Sequence, residues 1–551
     1  MAPCPPPCSN PHETSDLNLA NSLTPPLEVI ERFGAHDFSV NDFFTRRALA
    51  LGDKAMIEYE GDVMTWSQCL DLRERARTWL TVQGVKAGDR LGLMSYNHPS
   101  TVVLFLAACD LGVILVPCNP DFRASEAQYI FEHAQVCAVI CSESVQDKVH
   151  QAVAGMAPKP WMVLNDKASE SLIQTWQGVP PASMALSGNA QSTCLIIYTS
   201  GTTGFPKGVM HSQTSYLLTA EAFVHRLFLQ PHERMMCVLP LFHINALMYS
   251  LGGAMACGGT LILVRKFSAS EFWSVALSTR ATQVNVIMSA AAILSRRPLS
   301  EFRADHRIHK MFLAPLNQDL LDIFQHRFGV PTLIECYGMT EIPGVLSNPF
   351  LGPHKLGSMG RISPHPSPCI ATPEVKIVNE LGAEMPCGEV GEIVVKTPTI
   401  MQGYYKDEGQ TTSSFKDGWF LTGDLGYRDQ DDFFFFYTRK KDIIRRKGEN
   451  LSGAEIDTAI SSHPEVQECA SIGVPALLGE EEVLVAVVPK TGGALTPAMV
   501  FAHAKAVLSP LKWPRYVVLV DSLPHTGSMK IAKFKLKPAQ DLLDKATEFQ
   551  S

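Results

Sequence analysis

At 551 residues the chain is longer than one hydrophobic core ordinarily serves, so two or more domains are expected. Hydrophobic residues at 46% and charged residues at 19% describe a soluble globular protein, and the formal net charge of −8 argues against nucleic acid as the main partner. The 14 cysteines form no Cys-x-x-Cys pair, which suggests neither a zinc site nor a disulfide framework and points to reduced thiols in a cytoplasmic setting.

Met1 to Pro26 is rich in proline, serine and asparagine and has neither a charged start nor an apolar run, so it reads as a disordered tail and not a signal peptide. From Phe38 to Ser144 the pattern alternates: helix over Trp66 to Thr81, strand over Arg90 to Met94, buried helix over Thr101 to Leu111, strand over Val113 to Val116, amphipathic helix over Ala124 to His133, then strand over Val136 to Ile140. Such alternation predicts an α/β fold with parallel sheets covered by helices. Asp147 to Gln191, with Pro158, Pro160, Pro180 and Pro181, is less regular and predicts a surface crossing. Next, the apolar run Cys194 to Ile197 enters Tyr198-Thr-Ser-Gly-Thr-Thr-Gly-Phe-Pro-Lys-Gly-Val-Met-His211 as a buried strand. Gly201, Gly204 and Gly208 let backbone N–H groups approach an anion, Thr199, Ser200, Thr202 and Thr203 add hydroxyl donors, and Lys207 adds positive charge. No Gly-Lys-Ser/Thr closes the loop, so it is not the usual P-loop. A plain Ser/Thr/Gly surface turn is the bland alternative.

This stretch, with Ser-Gly-Thr-Thr-Gly and Pro-Lys-Gly in register, resembles the signature of the adenylate-forming superfamily of acyl-CoA synthetases, luciferases and amino-acid adenylation domains. Gly84-Val85-Lys86-Ala87-Gly88-Asp89-Arg90 resembles an earlier part of the same superfamily. Pro240 to Leu247 resembles the segment carrying the acyl-pocket gate, which implies His243 as gate, with a carbonyl-bonded core histidine as the alternative. Asn245 reads either a polar substrate group or backbone, and Leu247, Met248 and Ser289 to Ile293 are candidates to line the pocket. Ile244 to Val264 is uncharged over 21 residues, but Gly252, Gly253, Gly258 and Gly259 divide it into a buried helix, a turn and a strand.

After a strand at Val284 to Ile287, Met311-Phe-Leu-Ala-Pro-Leu316 resembles the adenine strand, with Ala314 in register and Leu313 where glycine is common. In Cys336-Tyr-Gly-Met-Thr-Glu341, Tyr337 is suited to stack on a purine, Thr340 to bond the α-phosphate and Glu341 to hold Mg²⁺; a helix entry capped by Thr340 is the alternative. Glu389 to Lys396 reads as a strand leading to Gly418-Trp-Phe-Leu-Thr-Gly-Asp-Leu-Gly426, whose Asp424 follows a glycine turn and is suited to accept ribose hydroxyls, or is a solvated turn residue. Phe433 to Tyr437 is the last strand of the large domain, and this run and Leu-Phe-His-Ile are also similar to the carnitine/crotonobetaine-CoA ligase branch.

Thr438 to Asn450 resembles the hinge and following hairpin, which implies Arg439 near the ribose, Lys441 at the pivot and Gly448 beside the incoming thiol. For Arg445, Arg446 and Lys447, a solvated basic run and contact with CoA phosphates stay equally open. Ala454 to Asp457, Val483 to Pro489 and Val517 to Val520 give a small second domain, and Lys530, after Leu-Pro-His-Thr-Gly, aligns with the catalytic lysine, with Met529 in place of a common glycine.

After the tail that composition predicts at 1–26, the resemblance implies a large multi-subdomain N-terminal domain at 27–437, a hinge at 438–442 and a small mobile α+β domain at 443–551. The implied activity is adenylation of a carboxylic acid by ATP with Mg²⁺, then thioester formation with coenzyme A. Delivery to a carrier-protein thiol, luciferase-like oxidation and a non-catalytic nucleotide-binding regulator are the alternatives. An α-amino acid substrate is disfavoured, because Phe242 to Ala246 holds no aspartate.

Overall fold

The computed structural model describes residues 22–166, 171–182, 185–199, 206–446, 449–475, 481–525, 530–536 and 539–549. These form two compact units: the first holds the residues up to Glu374 together with Lys396–Ser413, and the second holds Val375–Val395 and the residues from Ser414 onward. Residues 438–442 lie inside the second unit. Of the N-terminal tail, residues 22–26 are described; Thr24 exchanges two 3.0 Å hydrogen bonds with the Gln230 amide, and Pro26–Glu31 is already helical.

In the first unit, one seven-stranded sheet runs Gly403–Tyr404, Lys207–Ser212, Thr193–Thr199, Ile114–Pro117, Arg90–Met94, Ala138–Cys141, Trp161–Leu164. Its last five strands are mutually parallel. Trp161–Leu164 falls within the stretch expected to be irregular; the prolines there flank the strand, and it gains its ladder from Ala138–Cys141. A second seven-stranded sheet runs Thr332–Ile334, Lys310–Ala314, Gln283–Ile287, Arg234–Cys237, Thr260–Leu263, Ala55–Tyr59, Asp62–Thr65. Every residue of the helix Pro99–Leu111 is buried, as its unbroken apolar run requires.

The uncharged stretch from Ile244 becomes a π-helical segment Asn245–Leu251, a helix Gly252–Cys257 and the strand Thr260–Leu263. Its glycines serve close packing: a Cβ on Gly253 would sit 2.7 Å from Phe223 of the helix Gln213–Leu227. No described helix is long and apolar enough to cross a membrane. The twelve described cysteines are all free, and no described group of His, Cys, Asp and Glu could hold a metal among three or more such residues.

In the second unit, Glu374–Val378, Gly391–Lys396, Trp419–Arg428 and Phe415–Lys416 form a sheet to which Phe434–Arg439 adds on the Trp419–Arg428 strand. A hairpin, Ile443–Arg446 with Glu449–Ser452, precedes a four-stranded sheet of Val466–Pro475, Glu481–Pro489, Tyr516–Leu519 and Thr547–Glu548. Its central run alternates faces: Val483, Val485 and Val487 enter one core, while Leu484, Ala486 and Val488 enter another. The chain thus has a large mixed α/β part and a smaller C-terminal α+β part.

Candidate active site

The signature stretch is a β-hairpin whose arms are Thr193–Thr199 and Lys207–Ser212, with Thr199 opposite Lys207. Its tip, including Ser200, Gly201, Thr202, Thr203 and Gly204, lies outside the described residues. Cys194 to Ile197 are buried, as the apolar run predicts. Gly208 is required by packing, because a Cβ there would lie 2.7 Å from Ile196. At the base of the loop, Lys207 Nζ donates to Gln410 Oε1 at 2.5 Å and stands 5.4 Å above the Tyr404 ring.

That tyrosine joins the lysine to the second motif. Gly403–Tyr404 pairs with Lys207–Ser212, and the Tyr404 hydroxyl donates to Glu341 Oε1 at 2.8 Å. Glu341 is buried, and a charged carboxylate taken out of water needs a cation or a donor beside it. An oxygen-donor carboxylate of this kind suits Mg²⁺. Thr340 and Glu341 form the turn of a hairpin, Cys336–Met339 with Ile342–Ser347, in which Met339 faces Ile342. The alternative of a helix capped by Thr340 is therefore excluded. The hairpin closes because Gly338 has no side chain: a Cβ there would come within 2.3 Å of the Gly344 nitrogen. Tyr337, opposite Leu346, is half-buried.

His211, the last residue of the signature stretch, donates from Nε2 to the Thr340 carbonyl at 2.7 Å, with its Nδ1 2.9 Å from Ser215 Oγ. Burial pushes this imidazole down to about 4, which keeps it neutral. Sequence reasoning assigned roles to neither His211 nor Tyr404. The first closes a recognised motif, so a signal existed for it; the second lies outside every motif singled out in the sequence.

Ala314 ends the strand Lys310–Ala314 and is half-buried, while Leu313 points into the core, which accommodates the larger residue where glycine is common. Just beyond, the Leu316 N–H donates to Glu335 Oε1 at 2.9 Å; burial raises this glutamate to about 7, against the lowering effect of that bond. In the gate segment, His243 N–H donates to the Pro240 carbonyl at 3.0 Å, and its half-buried ring lies 4.5 Å from that of Phe242. Asn245 Oδ1 accepts from Asn285 Nδ2 at 2.9 Å, and Asn285 also donates to Ser250 at 3.1 Å and accepts from Gln283 at 2.5 Å. Leu247 and Met248 are fully in the core. Within Ser289 to Ile293, Ala290 and Ala291 are core residues whereas Ser289 and Ile293 are exposed, as one helical face must be.

In the second unit, Asp424 is not in a turn but within the strand Trp419–Arg428, directly opposite Arg439. Arg439 Nε lies 3.0 Å from Asp424 Oδ1, so the register puts both side chains on one face. Gly423, at φ +69°, supplies the local irregularity that sequence reading took for a turn. Lys530 senses the same pair. Its ammonium is held below the usual lysine range, first by desolvation and then by the Arg439 guanidinium, with Asp424 acting in the opposite sense, although a solvent-exposed flank remains.

Lys441 lies in a short helical turn, Lys440–Asp442, and Gly448 and Lys447, at the tip of the following hairpin, lie outside the described residues. Arg446 fits neither earlier alternative. It is buried, with Nε 2.7 Å from Glu482 and Nη1 donating to the Leu511 and Trp513 carbonyls, both at 2.8 Å, so it is a core cation and not a solvated or phosphate-facing one.

The family model described as "AMP-binding enzyme" matches residues 44–405, and the one described as its C-terminal domain matches 455–530. The chain is similar to sulfoacetate–CoA ligase of Cupriavidus necator, with 31% identity over 82% of this chain and 88% of that one. It is also similar to crotonobetaine/carnitine–CoA ligase of Escherichia coli K12, with 28% identity over 87% of this chain and 95% of the other. Among solved structures, ATP-bound MatB from Rhodopseudomonas palustris superposes with a TM-score of 0.80 at 26% identity, covering 91% of this chain and 99% of that one.

Proposed function

The chain belongs to the AMP-binding enzyme family of adenylate-forming ligases, and we propose that it is an AMP-forming acid–CoA ligase acting on a short carboxylic acid that carries a second polar group. The observation that supports this most is the linked patch of Lys207, Tyr404, Glu341 and the His211-anchored Thr340, a cation, a carboxylate and a hydroxyl held where the motifs call for phosphate and metal contacts.

A carboxylate is a poor acyl donor because oxide would have to leave. Attack of the acid's oxygen on the α-phosphorus of ATP forms the new P–O bond and expels pyrophosphate, which converts the acyl group to a mixed anhydride with AMP as leaving group. Two anions must meet, so electrostatics dominates the barrier. Lys207 offsets charge on the phosphates, Thr340 donates to the α-phosphate, and Glu341 would hold Mg²⁺, which when bound neutralises the triphosphate further. Asp424 and Arg439 take the ribose, Tyr337 and Ala314 the adenine, and Lys530 the negative charge on the α-phosphate and the attacking carboxylate. In the second half-reaction the thiol of CoA attacks the anhydride carbon, AMP leaves with the C–O bond pair, and the thiol proton passes to solvent. Movement about Lys441 would withdraw Lys530 and bring Gly448 to the thiol.

The acid class rests on Asn245. Its Oδ1 is already used by Asn285, which leaves its NH₂ group as the donor available to a substrate. An acid with a distal acceptor suits that donor, as the sulfonate of sulfoacetate would, the acid in the name of one similar ligase. His243 stands beside it as gate.

The test is pyrophosphate release from ATP and Mg²⁺ over a panel of short acids with and without a second polar group, each with and without CoA, and with Lys530→Ala as control. Acid-dependent release that becomes multi-turnover only with CoA and collapses in the variant supports the reading. Turnover with a carrier-protein thiol but not with CoA, or no acid-dependent release, counts against it.

A further inference from the structure

Lys530 stands beside the closure of a loop in the C-terminal unit. The Pro524 carbonyl accepts the Ala532 N–H at 2.7 Å, and His525 pairs with Ile531 in an isolated antiparallel bridge. The flanks are set by packing: Leu523 and Leu536 enter one of the cores of the C-terminal sheet, and Ile531 lies against it. Lys530 itself is exposed. So short a backbone closure resists local opening weakly.

Lys533, three residues on, adds a polar anchor. Its Nζ lies 2.5 Å from Asp457 Oδ2, and the two side chains are only 15% and 20% exposed. Asp457 belongs to the helix Gly453–Ser461, and its Oδ1 accepts the Ser471 N–H of the strand Val466–Pro475 at 2.5 Å. One carboxylate therefore joins that helix, that strand and the chain just beyond Lys530. Gly453 permits the close approach, because a Cβ there would stand 3.1 Å from Lys533 Nζ and 3.2 Å from the Ser471 carbonyl oxygen. At the loop's other foot, His525 Nε2 lies 3.3 Å from Glu468 Oε1 on the same strand.

An ion pair shielded from water adds little net stability over an apolar pair of similar volume, because desolvation offsets the attraction. What it adds is direction. Three residues of chain span at most about 11 Å, so fixing the Lys533 ammonium narrows where the Lys530 side chain can go. We propose that Asp457, acting through Lys533, is a positioning residue for Lys530 whose effect is confined to the adenylation half-reaction. This rests on the role given to Lys530 above. Lys530 must meet the attacking carboxylate and the α-phosphate while the P–O bond forms, and a displacement of about 1 Å there costs on the order of a hundred-fold. In the thioester half-reaction Lys530 is withdrawn, so the same displacement has no effect.

The experiment uses the full-length protein. Asp457→Asn keeps an acceptor for Ser471 but removes the charge. Acid-dependent ATP–pyrophosphate exchange, with the panel acid that wild type adenylates fastest, falls about ten- to a hundred-fold in kcat with the KM for ATP within about two-fold. Thioester formation from CoA and the synthetic adenylate of that acid stays within about two-fold of wild type. Lys533→Arg retains most of the exchange, and Lys533→Met does not. Asp457→Leu/Lys533→Met separates position from stability: its urea midpoint equals or exceeds that of wild type, yet exchange stays low. A second readout needs neither ATP nor acid. Trypsin cleavage after Lys530 quickens about ten-fold in Asp457→Asn, as the loop opens more often. Equal losses in the two half-reactions, exchange restored by the apolar pair, or an unchanged tryptic rate overturns the proposal. Exchange that survives Lys530→Ala would instead overturn the role of Lys530, while the tryptic rate still reports on the anchor; should no panel acid turn over, that rate decides.

Discussion

Replacing His211 by phenylalanine isolates the bond that fixes the Thr340–Glu341 turn. The side chain is fully buried and donates to the Thr340 carbonyl at 2.7 Å, so the substitution preserves ring packing but leaves that carbonyl without its donor. An acceptor left without its donor in this part-buried setting costs about 1–3 kcal/mol. If the turn relaxes by that amount before phosphate contacts form, kcat/KM for pyrophosphate release falls about ten- to a hundred-fold, since roughly 1.4 kcal/mol is a factor of ten. His211→Gln, whose amide retains a donor, recovers part of the loss. The imidazole also sets a pH signature. Its pKa falls from 6.5 to about 4 on folding, so between these values the unfolded chain binds a proton that the folded chain refuses. Stability therefore decreases as pH drops through that window, by an amount on the order of 3 kcal/mol, and both variants lose this slope. Wild-type pyrophosphate release and an unchanged acid limb of thermal unfolding in His211→Phe would refute the reasoning.

Tyr404→Phe removes the hydroxyl that orients Glu341, and the Mg²⁺ concentration for half-maximal pyrophosphate release rises about ten-fold; an unchanged Mg²⁺ titration rules out that orienting role. Arg446→Met leaves Glu482 without its closest cation and two carbonyls without a donor, so urea unfolding of the C-terminal unit shifts by about 3 kcal/mol while the KM for CoA stays within two-fold; a selective rise in that KM would restore a phosphate-binding role. Glu221 is held at about 2 against an ordinary 4.5 by His36 and His365, which outweigh its desolvation. Its stabilisation is complete above 4.5 and lost as pH falls toward 2, so Glu221→Gln flattens the Tm profile in that range, and an unaltered profile contradicts the assignment.

What could be read from the sequence was local. Arg90–Met94 is the strand its alternation predicts, and Trp66–Val82 begins at a Thr65–Gln68 capping box visible in the residues themselves. The readings that the residues alone left open are those where a distant partner decides. Tyr-Gly-Met-Thr-Glu serves equally as a helix entry or a hairpin turn, and the choice falls to Gly344, whose backbone approaches Gly338 too closely for any side chain. Arg446 sits in a run of basic residues that reads as solvated, yet its partners Glu482, Leu511 and Trp513 are brought together only by the C-terminal sheet. Asp424 follows a glycine and reads as a turn residue; Arg439 across the ladder makes it a strand residue.

The same dependence on distant partners governs the site in the first unit. Each motif residue is held by a segment remote from it in sequence: Thr340 by His211, Glu341 by Tyr404, Lys207 by Gln410. His211 and Tyr404 grip adjacent residues of one turn, so their contributions cannot be independent. Once either grip is lost the turn relaxes, and the second bond has less ordered structure left to support. The double variant His211→Phe/Tyr404→Phe is therefore expected to lose less transition-state stabilisation than the sum of the single losses, with a coupling of roughly 0.5–3 kcal/mol in kcat/KM. Strict additivity would mean that the two bonds hold separate features, and that the hairpin turn is rigid without them.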